Sequence, residues 1–558
     1  MYTFFVRGKS NYWQSLNIIK SPSLFFAVTL FSFNFKINNT SRWLALLVYI
    51  ILFAGLKNLS SIWIQKKLIL YFIFSLSLSF LPFVNNPQRA LKFLSFGYDN
   101  AFQFSAFRGF SQTSWYPNVD FENWFTNFQL FKDVPMGHSA MMSFILHPFT
   151  YMDLKTETLI VIYAAFQIFS ILVLIFLVNQ FLHQSFSVDY PSRLLRSIFS
   201  IITVTCVAST MLVNGFAPYF WCLVLILFWI NFEAKNKNRL LRNLSLSLCI
   251  YSVSQITPAP ATLLFFPALV YSIQEFRVNL NTNEIGRIIK NICPFILFGA
   301  LTLFSFQNSS AGLGWRQLLQ PGGLQNINLV TTTSLFAITL TLLILNRRNV
   351  LNDPLALIVI SGMASSGALS ILTLLCTGNL QYYAIKQIYL TLFLSSIYTV
   401  INLNISRIKF FVNGVILSLL IYPMAFPIFY TAGYMGVLPN VIVHTFSTTG
   451  WSTDPVNAEL ILQINKMPAD IGNKCLIWRA NDQFTDKDLS SRWLNAIVSR
   501  KIISEECFSA YWNNGVLSES ELKEKLEKID NDFLIFIDGP INQDVTQNIQ
   551  FMEIPQSR

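Results

Sequence analysis

The chain has 558 residues, 53% of them hydrophobic and 12% charged, with a net charge of +11 and a mean hydropathy of +0.48. That balance excludes an ordinary soluble globular protein and points to a polytopic membrane protein whose length is spent mostly on spans. Lys and Arg fall in short clusters between apolar runs, so the positive charge reads as a determinant of topology and not as a nucleic-acid surface.

Arg7, Lys9 and Lys20 precede a first apolar run at 21–35. No small-residue cleavage site follows, which predicts a retained first span in place of a secretory signal. Further runs stand near 42–56, 68–84, 158–182, 194–214, 216–233, 243–257, 258–274, 291–306, 329–346, 355–377, 382–402 and 410–430, about thirteen spans in all. With the N-terminus in the cytoplasm, every inside loop is basic. These loops hold Lys57, Lys66 and Lys67; Arg193 and Arg196; Lys235, Lys237, Arg239 and Arg242; Arg277, Arg287 and Lys290; Arg347 and Arg348; Arg407 and Lys409.

The same alternation puts the long segment 85–157, the loop 309–328 and everything after 430 outside. The first outer segment carries FGYDNAFQFSAFRGF at 96–110, in which Asp99 stands just past the end of an apolar run. An acid there sits at headgroup depth, where a lipid-linked phosphate would also sit. Asp99 thus reads either as a functional carboxylate or as a helix cap. If a helix begins at Asp99, Gln103 lies one turn on along the same face, and Phe102, Phe104, Phe107 and Phe110 turn toward lipid or protein. Further on, VPMGHSAMMSFILHPF places His138 at the head of a re-entrant or interfacial helix, where it reads as a structural donor or as a substrate contact.

Two later outer elements carry cations. Arg316 lies between Trp315 and Gln317 in the loop 309–328. Lys386 lies at the outer end of a late span, with Tyr382, Tyr383 and Tyr389 at helical spacing on its face. Each is either an interfacial anchor or a phosphate contact. The outer acids Asp120, Glu122, Asp133, Asp153 and Glu157 read as solvated loop or cap residues. TPAP at 257–260 reads as a tight outer hairpin.

After about residue 450 charge rises and spans stop, which divides the chain into a multispan domain at 1–450 and a small α/β domain at 451–558. CLIWRA at 475–480 and FLIFIDG at 533–539 read as buried strands, with an amphipathic helix at 488–500 and a second helix at 521–529. Cys475 and Cys507 fall in this outer part, where a disulfide between them is an open possibility. The other five cysteines lie in apolar runs and read as small buried hydrophobes. With no P-loop, no GxGxxG, no DxD and no ligand spacing for a metal, neither cofactor nor metal is expected, and energy for chemistry must come from an activated substrate.

Taken together, GYDNAFQF in the first outer loop, VPMGHS in the second outer element and YYAIKQIYL at the outer end of a late span resemble the GT-C superfamily of polytopic glycosyltransferases, nearest to bacterial multispan members that use polyprenyl-phosphate-linked sugars. Gln103 stands where that pattern has His, and VPMGHS lacks the Tyr of the commoner YPxGxH form. The resemblance implies an all-α multispan fold in the cell membrane and inverting transfer to an extracytoplasmic glycan, lipid or protein. It implies that Asp99 is the catalytic base, with Lys386, Tyr382, Tyr383, Arg316, His138 and Gln103 at the substrate. Two other classes share the many spans: a polysaccharide polymerase or ligase, and a lipid-linked-glycan flippase or transporter. Against the transporter, the inner spans hold almost no ionisable side chains and no inverted repeat is evident. Against the polymerase, the acid comes early and the late outer loops offer only Arg316 and Lys386.

Overall fold

The computed structural model describes residues 22–33, 62–95, 99–113, 136–144, 154–185, 216–236, 238–280, 329–402, 475–478, 487–498, 533–537 and 550–553, with isolated positions such as 146, 197–201 and 507 beside them. The described part up to residue 402 is helical throughout. It begins with α1 (Pro22–Ser32), α2 (Ile62–Phe80), α3 (Pro87–Leu94), α4 (Asn100–Thr113), α5 (Gly137–Phe144) and α6 (Thr156–Ser185). It continues with α7 (Ala217–Phe232), α8 (Arg239–Ile256), α9 (Phe265–Leu280), α10 (Leu329–Leu345), α11 (Pro354–Thr377) and α12 (Tyr382–Asn402).

Three of these segments, Thr156–Ser185, Pro354–Thr377 and Tyr383–Asn402, are long and apolar enough to cross a membrane. Shorter apolar helices run over Ser23–Ser32, Leu70–Phe83, Ala217–Phe232 and Thr332–Leu345. Leu70, Phe74, Leu345, Ile371 and Leu375 are exposed on the outside of the bundle, as lipid-facing side chains are. The expected spans at 42–56 and 410–430, and most of those at 194–214 and 291–306, lie outside the described residues.

Helix starts follow local chemistry. Asn86 caps α3 by accepting from Arg89 N at 2.9 Å, Asn238 caps α8 by accepting from Leu241 N at 3.3 Å, and Asp353 caps α11 by accepting from Leu355 N at 3.0 Å. Pro87, Pro218 and Pro354 sit in first turns, where a missing N–H costs nothing. Gly378 ends α11 with φ +74, the left-handed conformation that glycine adopts freely.

Several boundaries differ from the apolar runs. Lys66 and Lys67, expected in an inside loop, lie within α2, and Arg239 and Arg242 lie within α8. Lys and Arg are good helix formers, so a helix continues past its apolar stretch until a cap or turn stops it. The TPAP hairpin is a one-turn helix, Pro258–Ala261, followed by a 3-10 turn at Thr262–Leu264, and α9 then runs on to Leu280 past Arg277. Pro258 and Pro260 fit a first turn but would break the interior of a longer helix.

Helix pairs meet through small and hydroxylic residues. A Cβ on Gly362 of α11 would come within 2.8 Å of Thr391 Oγ1 on α12, and Ser366 Oγ lies 2.8 Å from the same hydroxyl. Gln387 Nε2 donates to Ser365 Oγ at 2.9 Å and to Thr262 Oγ1 at 3.1 Å. Small residues that admit close backbones, with hydrogen bonds between helices, are how helices pack when apolar burial alone cannot drive association.

Beyond the bundle, β1 (Cys475–Trp478), β2 (Phe533–Ile537) and β3 (Gln550–Glu553) form a parallel sheet in the order β1-β2-β3, with Cys475 opposite Phe533 and Leu534 opposite Gln550. The first two strands fall where short apolar runs placed them; β3, with its half-polar QFME, did not stand out. Helix α13 (Lys487–Val498) covers β1, and its Asn495 donates to Leu476 O at 2.5 Å while accepting from Leu476 N at 3.3 Å. The expected helix at 521–529 lies outside the described residues. Cys507 is buried and disulfide-bonded. We expect Cys475, at the start of β1, to be its partner. Non-reducing mass spectrometry of the digested tail should find the two joined in one peptide pair, and Cys507 linked to any other cysteine would refute the pairing.

Candidate functional site

Asp99 sits half-buried in the turn between α3 and α4. Its carbonyl accepts from Gln103 N at 2.9 Å, the first bond of α4, while the next residue, Asn100, donates through Nδ2 to Leu94 O at 2.9 Å and fixes the turn to the end of α3. Gln103 therefore does stand one turn along from Asp99.

The tail holds α4 in place. Arg108 Nη1 donates to Ala496 O at 3.2 Å and to Ile497 O at 2.8 Å, putting a guanidinium at the C-terminal end of α13, where the helix dipole favours a cation. Phe104 packs between Tyr163 at 5.8 Å and Trp493 at 5.7 Å between ring centroids. Phe104, Phe107 and Phe110 are fully buried against protein. Helix α4, which starts at the acid, is thus clamped between α6 and α13.

Lys386 lies near the start of α12 and is buried, not extended outward as an interfacial anchor would be. Its Nζ stands 3.9 Å from the ring centroid of Phe216, 4.9 Å from Tyr219 and 5.5 Å from Tyr383. Three ring faces around a desolvated ammonium stabilise it by about 2 kcal/mol or more for a strong contact. Asp99 lies within electrostatic reach of both Lys386 and Tyr383. An acid before α4 and a lysine of α12 are therefore brought within electrostatic reach at one end of the bundle. Tyr382 opens α12, but its side chain lies outside the described residues.

Helix α5 enters the bundle beside this pair, and all eight of its residues are buried. Gly137 is required where α5 crosses the end of α8, because a Cβ there would stand 2.6 Å from Gln255 O. Ser139 Oγ lies 3.1 Å from Gln103 O and 3.3 Å from Gln103 Oε1, tying α5 to α4. His138 is 1% exposed, edge-on to Tyr163 at 6.3 Å and tilted to Trp221 at 6.4 Å. Neither its ring nitrogens nor Trp221 Nε1 has a hydrogen-bond partner among the described residues. Leaving such a group unmade costs about 1–3 kcal/mol, so these atoms mark a place that accommodates polar groups.

Burial pushes the His138 imidazole down from 6.5 to about 3, so the ring is neutral at physiological pH and is not an acid there. Below about pH 6.5 the unfolded chain takes up a proton that the folded chain refuses until pH approaches 3. Stability is therefore full above the ordinary imidazole value and declines as pH falls through that window. Thermal unfolding in detergent should show this decline in the wild type and a shallower one in His138→Gln. Identical slopes would mean that His138 is charged or solvated.

Beneath α5 lies an almost wholly apolar cavity of about 210 Å³, walled by Phe26, Phe72, Met141, Phe169, Trp221 and Phe228. The opposite end of the bundle is where the basic turns gather. Lys235 Nζ donates to Gln184 Oε1 at 3.1 Å, Asn346 Nδ2 donates to Asn402 Oδ1 at 3.0 Å, and Gln274 Nε2 donates to Leu351 O at 3.4 Å. Glu233 accepts from Ser23 N at 3.1 Å, which brings the start of α1 to that end as well. Among the described residues, these basic turns and the Asp99–Lys386 pair thus lie at the two ends of the bundle.

Arg316, Asp120, Glu122, Asp133 and Asp153 lie outside the described residues, and Glu157 stands in the first turn of α6, where an acid suits the helix dipole. Phe216, Tyr219, Ser139 and Gln255 were not anticipated; the only signal in the sequence is that NGFAPYF is an aromatic outer turn without Lys or Arg. Tyr219 lies beside Thr257 at the end of α8 and beside Tyr383. Among the described residues, no three His, Cys, Asp or Glu side chains gather as metal ligands would. No family model, curated protein or solved structure matches the chain.

Proposed function

We propose that this chain is an integral-membrane glycosyltransferase of the GT-C kind. In this reading it has about thirteen spans, an outer-facing site and an extracytoplasmic α/β domain at 451–558, and it passes a sugar from a polyprenyl-phosphate-linked donor to a glycan, lipid or protein hydroxyl. The observation that carries the reading is the half-buried Asp99 within electrostatic reach of the caged Lys386 at the end of the bundle away from the basic turns.

The acceptor oxygen attacks the anomeric carbon from the face opposite the phosphate. Its proton passes to the Asp99 carboxylate as the new C–O bond forms. The bond from the anomeric carbon to the phosphate oxygen breaks, and the electron pair leaves with polyprenyl phosphate, inverting the anomeric centre. Lys386 stabilises that developing charge, and Arg316 supplies a second phosphate contact. Gln103, His138 and Tyr383 hydrogen-bond the sugar and acceptor, and the apolar cavity under α5 takes the first isoprene units of the lipid.

The test is transfer by the purified full-length protein in nanodiscs from a panel of radiolabelled polyprenyl-phosphate hexoses and pentoses, with the product anomer read by NMR. A product of inverted configuration is expected. Movement of the lipid-linked sugar across the bilayer with no new glycosidic bond would replace this reading by a flippase. Chain growth at the reducing end from lipid diphosphates would replace it by a polymerase.

A further inference from the structure

At the end of the bundle opposite Asp99 and Lys386, the turn between α7 and α8 faces the turn between α10 and α11 across a cavity of about 450 Å³. That volume lies within the usual range of small-ligand sites. Its wall brings together Lys235, Arg239 and Arg242 against a single carboxylate, Asp353, with Tyr271 and Pro354 completing it. The other acid of the turn, Glu233, is directed to the start of α1, where Ser23 N and Oγ donate to it at 3.1 and 2.5 Å.

Two further features favour an anion. Helix α8 begins at this cavity behind its neutral Asn238 cap, so its positive dipole end reaches it, whereas the start of α11 is already taken by the Asp353 carboxylate. Arg242 is already oriented, with its guanidinium carbon 3.9 Å from the ring centroid of Tyr271. Lys235 is steadied by Gln184 Oε1 at 3.1 Å. A planar guanidinium held over a ring still presents N–H donors in a fork that suits a phosphate.

We propose that this cavity binds a phosphate-bearing anion, either a lipid headgroup or a soluble phosphate, and that Lys235, Arg239 and Arg242 are its contacts. The site is separate from the transfer chemistry and stands whether or not that reading holds.

Native mass spectrometry of the full-length protein in neutral detergent, with phosphatidylglycerol or phosphatidylcholine added, tests it. Phosphatidylglycerol should be retained in preference to phosphatidylcholine, and R239Q/R242Q should weaken its binding at least about tenfold, about 1.4 kcal/mol, through the loss of charge-assisted contacts. Lys235→Gln, at an exposed position that cannot unfold the bundle, should weaken it to a smaller degree. Arg347→Gln removes an exposed charge outside the cavity and should change nothing. Displacement of the lipid by inorganic phosphate at millimolar levels would assign the site to a soluble anion, and persistence would assign it to a headgroup. Equal retention of the two lipids, no response to K235Q, or a loss in R347Q as large as in R239Q/R242Q would overturn the proposal.

Discussion

Asp99→Asn should lower sugar transfer by at least about a hundredfold while the donor lipid still binds near its wild-type affinity. Asparagine keeps the size of the side chain and its capacity to hydrogen-bond, but it cannot take a proton from the acceptor. The backbone around the site gives the substitution little to disturb. Asp99 begins α4 through its carbonyl, and the adjoining fixation to Leu94 is made by Asn100, so neither depends on the carboxylate. Helix α4 is held in addition by Arg108 on the last turn of α13 and by Phe104 against Tyr163 and Trp493. An Asp99→Asn protein that folds, binds donor and fails to transfer is the expected result. Near-normal transfer with every donor on which the wild type is active would remove Asp99 as base and move the search to Asp120, Asp133 and Asp153.

The helices were legible in the sequence because most are written as long apolar runs, and 156–185, 354–377 and 382–402 were read within a few residues of where they fall. Their starts are less so, since Lys66, Lys67, Arg239 and Arg242 look in sequence like loop charges although their own helix propensity carries them into the helix. Alternation of basic and Lys-poor loops assigns Asp99 and Lys386 each to the outer side, but it leaves open whether they converge. What no periodicity encodes is the lateral packing that completes the site. Phe216 and Tyr219 look in sequence like interfacial anchors, and only the approach of α7 to α12 turns their rings onto Lys386. The burial of His138 was hidden for a similar reason, because it depends on Gly137 allowing α5 to lie against Gln255.

Lys386→Met should behave differently from Asp99→Asn: it should weaken donor binding and slow the chemical step together, by about 2 kcal/mol or more for a dehydrated contact to the phosphate. Methionine is the informative replacement because it nearly fills the space between Phe216, Tyr219 and Tyr383 and removes only the charge, whereas Lys386→Ala would add a void. Lys386→Arg is a finer control. A planar fork cannot occupy the same ring-walled position as a compact ammonium, so restoring the charge should recover donor binding only in part. The two residues also lie within electrostatic reach of each other, and removing either leaves the other's charge less compensated. In D99N/K386M the penalties should therefore combine to less than their sum, as coupled groups do. Melting temperature separates this from a purely structural ion pair. If Lys386→Met loses stability but, measured per folded molecule, binds polyprenyl-phosphate sugar as tightly as wild type, Lys386 holds the bundle together and the phosphate is bound elsewhere.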